Sequence, residues 1–106
     1  MSDSKAIYLI LKSIDFAFEN NLHRDIFDLD KIKISERRLR IILKSLYDSG
    51  YIDGIDFIYV MNDDIPDYKL MGCYLTIQGM LFLEENSTMK TVYRTLKEAK
   101  EWIPGL

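Results

Sequence analysis

SERRLRIILKSLYDSGYI, residues 35–52, spells out one helix with both of its ends and the start of a strand. Ser35 is a residue whose hydroxyl can accept from a free N–H of the first turn, and Glu36 sets negative charge against the positive end of the helix dipole. Leu39, Ile42, Leu43, Leu46 and Tyr47 then recur at offsets 0, 3, 4, 7 and 8, the spacing of one buried helical face. Gly50 stands where a left-handed cap ends a helix, and Tyr51 begins a run of β-branched and aromatic residues.

Downstream, Tyr51 to Val60 and Tyr68 to Leu75 read as two strands separated by MNDDIPD, residues 61–67, a loose acidic hairpin tip in which Pro66 is at home. Thr76 caps a further helix containing Met80, Leu81, Phe82 and Leu83 that stops near Asn86 and Ser87. A last helix is expected from about Thr88, with Val92, Leu96, Ala99 and Ile103 on one face and Pro104 and Gly105 ending it.

Upstream, Ile7, Ile10, Leu11, Ile14, Ala17 and Phe18 share a face of a first helix that ends near Asn20 and Asn21. Leu9 and Phe16 lie off that stripe, so this helix is expected to be covered on two sides. Between the two helices, HRDIFDLDKIKIS (residues 23–35) leaves room for a short strand around Asp25 to Phe27 and about one helical turn after an Asp28 cap.

The order helix, short strand, short helix, helix, hairpin, helix, helix is that of a winged helix. The expected fold is therefore α+β: a helix-turn-helix core with a two- to three-stranded antiparallel wing and an added carboxy-terminal helix. A tightly joined helix pair needs a third helix and a sheet over its apolar side, and the hairpin supplies the sheet. No internal repeat or linker divides residues 1–106, which read as a single domain.

Two stretches carry a resemblance. SERRLRIILKSLYDSGYI resembles the third helix and first wing strand of many winged-helix proteins, and YLTIQGMLFL, residues 74–83, resembles the exit from the wing, where a glycine three residues after the Thr cap lets the next helix pack closely. With TVYRTLKEAKEWI, residues 91–103, nearly the whole chain resembles the YjcQ family, small bacterial proteins often found in prophage-like regions. The resemblance implies a winged-helix fold and supplies neither a biochemical activity nor functional residues.

Composition narrows the function classes. With 48% hydrophobic and 12% aromatic residues the chain is not a disordered segment. A single cysteine, Cys73, suits a reducing compartment, the Ser2–Asp3–Ser4 start is unlike a signal peptide, and the run Ala6 to Leu11 is too short to cross a membrane, so a cytoplasmic location is expected. The formal charge is −3, but it is segregated: Arg24 to Lys44 holds seven basic and four acidic residues, whereas Ser45 to Tyr68 holds six aspartates and no Lys or Arg.

The basic segment contains the candidate site. With the apolar stripe of helix three inward, Arg37, Ile41, Lys44 and Asp48 fall on the opposite face, flanked by Arg38, Arg40 and Ser45. In a helix-turn-helix protein this face enters the major groove of double-stranded DNA, where Arg37 and Arg38 would reach base edges and Ile41 a thymine methyl. A charged solvent face is also ordinary on any amphipathic helix, and the wing aspartates Asp53, Asp56, Asp63, Asp64 and Asp67 would meet phosphate badly. NDDIPD lacks the ligand alternation of a calcium loop, so no metal is expected, and the aspartates read as a solubilising tip. His23 and Cys73 read as structural, and neither catalysis nor a cofactor is expected.

Two functions stay open: a DNA-binding protein of the phage or prophage regulator kind, contacting DNA through Arg37, Arg38, Arg40, Ile41, Lys44 and Ser45, or a protein–protein interaction or dimerisation module that keeps the fold without binding DNA. The last helix, with Met89, Tyr93, Leu96 and Trp102, either packs within its own chain or joins helix one in a homodimer.

Overall fold

Helix α1 (Asp3–Glu19) is the element against which α2 (Leu29–Ile32), α4 (Ile77–Glu85) and strand β2 (Asp67–Leu75) pack in the computed structural model, which describes residues 3–86. Ala6, Ile10, Leu11, Ile14 and Ala17 are buried along its inner face. The expected cover on a second side exists, but Tyr8, 2% exposed, and the half-buried Leu9 supply it, while Phe16 is 62% exposed. Phe18 departs from the expected inward stripe. In the last turn of α1 it is 55% exposed, its ring leaning on Tyr74 at 6.0 Å.

The segment after α1 corrects the expected strand at Asp25 to Phe27. Asp25 has φ +51°, a left-handed conformation that an extended strand does not contain, and among the described residues no backbone bond joins this segment to the sheet. Ile26 and Phe27 instead pack on the core, Phe27 edge-on to Tyr68 at 6.2 Å. The single turn of α2 follows as expected: the Asp28 carboxylate accepts from the N–H groups of Asp30 and Lys31, and Lys33 at φ +63° ends it.

Helix α3 (Glu36–Asp48) has the expected ends. The Ser35 hydroxyl accepts from the Arg38 N–H at 3.1 Å, and Gly50 takes φ +82° just beyond the Ser49 cap. Leu39, Ile42, Leu43 and Leu46 are buried; Tyr47, grouped with them by spacing, lies at the edge with 39% exposure, its ring tilted against that of Phe57 at 5.6 Å.

Strand β1 (Ile52–Ile58) pairs antiparallel with β2, from Ile52 opposite Leu75 to Ile58 opposite Asp67, and the sheet has these two strands among the described residues. The register shifts between Asp53 and Ile55, where Gly54 has φ +76° and a Cβ would meet the Gly72 carbonyl oxygen at 2.7 Å, so the bulge requires glycine. The ladder stops short of the expected Val60 because Pro66, next in line on the partner strand, has no N–H to donate. Ile52, Ile55, Cys73 and Leu75 close the core from the sheet side.

The Thr76 side chain accepts from the Gly79 N–H at 3.3 Å to start α4 and donates to the Gly50 carbonyl, tying the two strand ends together. Gly79 lies so close to the Tyr51 carbonyl that a Cβ there would overlap it. The helix expected from Thr88 lies outside the described residues, as does its part in a homodimer. No helix among the described residues is long and apolar enough to cross a membrane.

Candidate functional site

The outer side of α3 divides into two sectors. Arg37, Arg38, Ile41, Ser45 and Asp48 are exposed, and Ile41 leaves 45% of its surface open. Arg40 and Lys44, expected on the open face with them, are half-buried and turned toward the hairpin. The division follows from the helical repeat, since Arg40, Lys44 and Tyr47 lie at i, i+4 and i+7 and form the ridge against which the hairpin settles.

Arg40 Nη1 lies 3.4 Å from Asp63 Oδ2 and 3.4 Å from the Ile65 carbonyl oxygen. Both distances are beyond the usual span for an N–H···O bond. Arg40 Nε is buried with no acceptor. Asp63 is held firmly, its other oxygen accepting from the Ile65 N–H at 3.0 Å, and that bond together with Arg40 keeps its carboxyl below the usual carboxylate range. Arg37 adds a weaker pull on the same carboxylate.

Lys44 donates to Asp48 at 2.9 Å and lies 5.1 Å from the ring centre of Phe57 and 5.7 Å from that of Tyr47. The neighbouring Asp48 carboxylate holds the ammonium above its ordinary value, so Lys44 is charged at neutral pH. Its charge is partly neutralised and its stem packed. Arg37 and Arg38 lie in the first turn of the helix and are exposed. The basic strip is therefore narrower than the wheel implies, and its centre lies toward Arg37, Arg38 and Ile41.

The hairpin aspartates separate in the same way. Asp63 faces α3, Asp56 lies opposite Lys69 across the ladder, Asp53 and Asp67 accept from the next residue's N–H, and Asp64 is exposed. Spacing alone did not reveal the hairpin's apolar side. Ile58, Tyr59, Val60 and Met61 are consecutive and exposed by 48, 64, 55 and 86%. The strand reading through Val60 passed over this run, because β-branched and aromatic composition does not tell a paired residue from an exposed one.

His23 and Cys73 line one cavity of about 110 Å³ between the end of α1 and β2, with Phe18, Leu22, Ile26 and Leu70. Burial pushes the Cys73 thiol up to about 12, so at neutral pH it is a protonated side chain within an apolar wall.

Residues 8–102 match the sequence model of the family described as YjcQ protein. The chain is similar to the "Uncharacterized protein YjcQ" of Bacillus subtilis (strain 168), with 35% identity over 103 residues, 97% of this chain and 99% of that protein. No solved structure matches it.

Proposed function

The chain belongs to the YjcQ family, and on that premise we propose that it is a winged-helix protein that binds double-stranded DNA through the open strip of α3, in the manner of a phage or prophage regulator. The observation that carries this reading is the pairing of Arg37 and Arg38 on the exposed amino-terminal half of a helix whose opposite face builds the core. A recognition helix needs that division: a buried side that fixes its orientation and an open side whose first turns carry guanidinium groups toward guanine edges or phosphate. Ile41 offers an apolar contact for a thymine methyl, and Ser45 a hydroxyl for phosphate or base. Lys44 lies at the boundary, with one of its three N–H donors given to Asp48.

The test is a titration of mixed-sequence duplex at several salt concentrations. Affinity should fall with salt at a slope of about 0.9 per phosphate contact, and Arg37→Glu with Arg38→Glu should remove binding while the domain stays folded. Absence of binding at low salt overturns the reading.

A second reading, an interaction module that keeps the fold without binding DNA, is favoured by one observation: the exposed apolar run Ile58–Met61 at the tip of the hairpin. Contiguous exposed apolar surface of this kind marks protein contacts. It predicts a partner whose binding is insensitive to salt and lost with Ile41→Asp or Met61→Asp.

A further inference from the structure

We infer that Asp63 occupies the place on α3 that a phosphate oxygen takes in the DNA complex, so that the hairpin loop and DNA compete for Arg40. The inference rests on the DNA-binding reading and adds a regulation of that same surface.

The geometry at Arg40 is that of a guanidinium held but poorly satisfied. A carboxylate and a phosphate present the same anionic acceptor to it, and a well-formed pair of either kind uses two parallel N–H groups at about 2.7–2.9 Å. Here a single nitrogen, Nη1, serves two oxygens at 3.4 Å each, and Nε has no acceptor. Arg40 thus has donors left over for a better ligand. Asp63 does not depend on Arg40 for its position, because the Ile65 N–H fixes its other oxygen at 3.0 Å and its own N–H donates to the Val60 carbonyl at 3.1 Å. The carboxylate is built into the turn and presented to the helix. Asn62, in a left-handed conformation at φ +68°, makes the bend that aims it.

The neighbourhood supports competition rather than a permanent bridge. Arg37, on the open strip one turn before Arg40, already acts on Asp63, so the loop's negative charge reaches the part of α3 proposed to meet DNA. Bringing phosphate to that strip places it beside Asp63, and the repulsion is relieved when Arg40 turns from the carboxylate to the incoming phosphate. Such a contact lowers the apparent affinity by the fraction of molecules in which Arg40 is engaged.

The experiment compares Asp63→Asn with Asp64→Asn, the same change of charge at the exposed neighbouring residue, using a labelled mixed-sequence duplex and the full chain. Asp63→Asn keeps an oxygen for the Ile65 N–H and removes the competitor. It should tighten binding by about two- to fivefold, the range of an exposed ion pair, at an unchanged salt slope, because Arg40 meets phosphate in both complexes. Asp64→Asn should do less, and in an Arg40→Gln background Asp63→Asn should add nothing beyond the effect of Asp64→Asn. Equal effects of the two aspartate changes, or a gain at Asp63 that persists without Arg40, overturn the competition and leave DNA binding standing. Failure of the wild-type chain and of Asp63→Asn alike to bind DNA overturns both.

Discussion

The two ends of the hairpin are built on opposite terms. At its base, between Gly50–Ile52 and Leu75–Gly79, each link is doubled: the Thr76 hydroxyl donates to the Gly50 carbonyl, the Thr76 N–H donates to the Tyr51 carbonyl at 3.1 Å, Ile52 and Leu75 are almost fully buried, and the Tyr51 and Phe82 rings meet edge-on at 5.8 Å. At its tip, four consecutive apolar side chains face outward, and the loop meets α3 through the two 3.4 Å contacts at Arg40 and through Tyr59 near Lys44, with Ile65 buried. The base aligns the hairpin with α3 and α4, which lets the tip carry surface that does nothing for the fold. Stability and recognition are thus assigned to different ends of one element, and substitutions at the two ends should separate them.

The largest effect is expected at Gly79. Helix propensity alone favours alanine over glycine within a helix by about 1 kcal/mol. Against that, the added Cβ would overlap the Tyr51 carbonyl, which cannot retreat without lengthening the bond it accepts from Thr76. Over-packing of this kind costs about 1–3 kcal/mol, more where backbone must move. Gly79→Ala should therefore be destabilised by about 2 kcal/mol net, read as a lower urea midpoint at unchanged slope. A gain in stability would show that the base is looser than its contacts imply.

Ser35→Ala should have a smaller effect of about 1 kcal/mol, because one first-turn N–H loses its acceptor while Glu36 and the buried face of α3 remain. The same urea titration reads it. Ser35 is in neither end of the hairpin, so its value calibrates the other two.

What was legible in the sequence follows the same division. The caps Asp28, Ser35 and Thr76 and the stop at Gly50 are local signals, each decided by a few neighbouring residues, and the structure has them where the sequence places them, while the close approach at Gly79 is implied by the resemblance of residues 74–83. Asp25 to Phe27 misled because Ile26 and Phe27 have the composition of a strand, while a left-handed Asp25 turns the chain before pairing can begin. At the candidate site, the wheel ranked Arg37, Arg38, Ile41 and Ser45 on the outer side of α3, where they are exposed. It could not tell that Arg40 and Lys44 would meet Asp63 and Phe57, some 23 and 13 residues away along the chain, because tertiary contact has no local spacing to read.

The smallest effect on stability is expected at Met61, and the comparison is sharpest there. Met61 is 86% exposed, so folding removes little of its surface from water, and no described element packs over it. Met61→Asp should change stability by no more than about 0.5 kcal/mol, the usual range for surface positions. An apolar group that contributes nothing to folding and remains on the surface raises the chance of unwanted association, so its presence next to Tyr59 and Val60 makes sense if the tip contacts something else. Met61→Asp that unfolds at the wild-type midpoint and still binds DNA would place the tip outside the DNA contact and assign it to a protein partner. If the variant loses DNA binding with its stability intact, the tip belongs to the same surface as Arg37 and Arg38, and the hairpin serves as a wing.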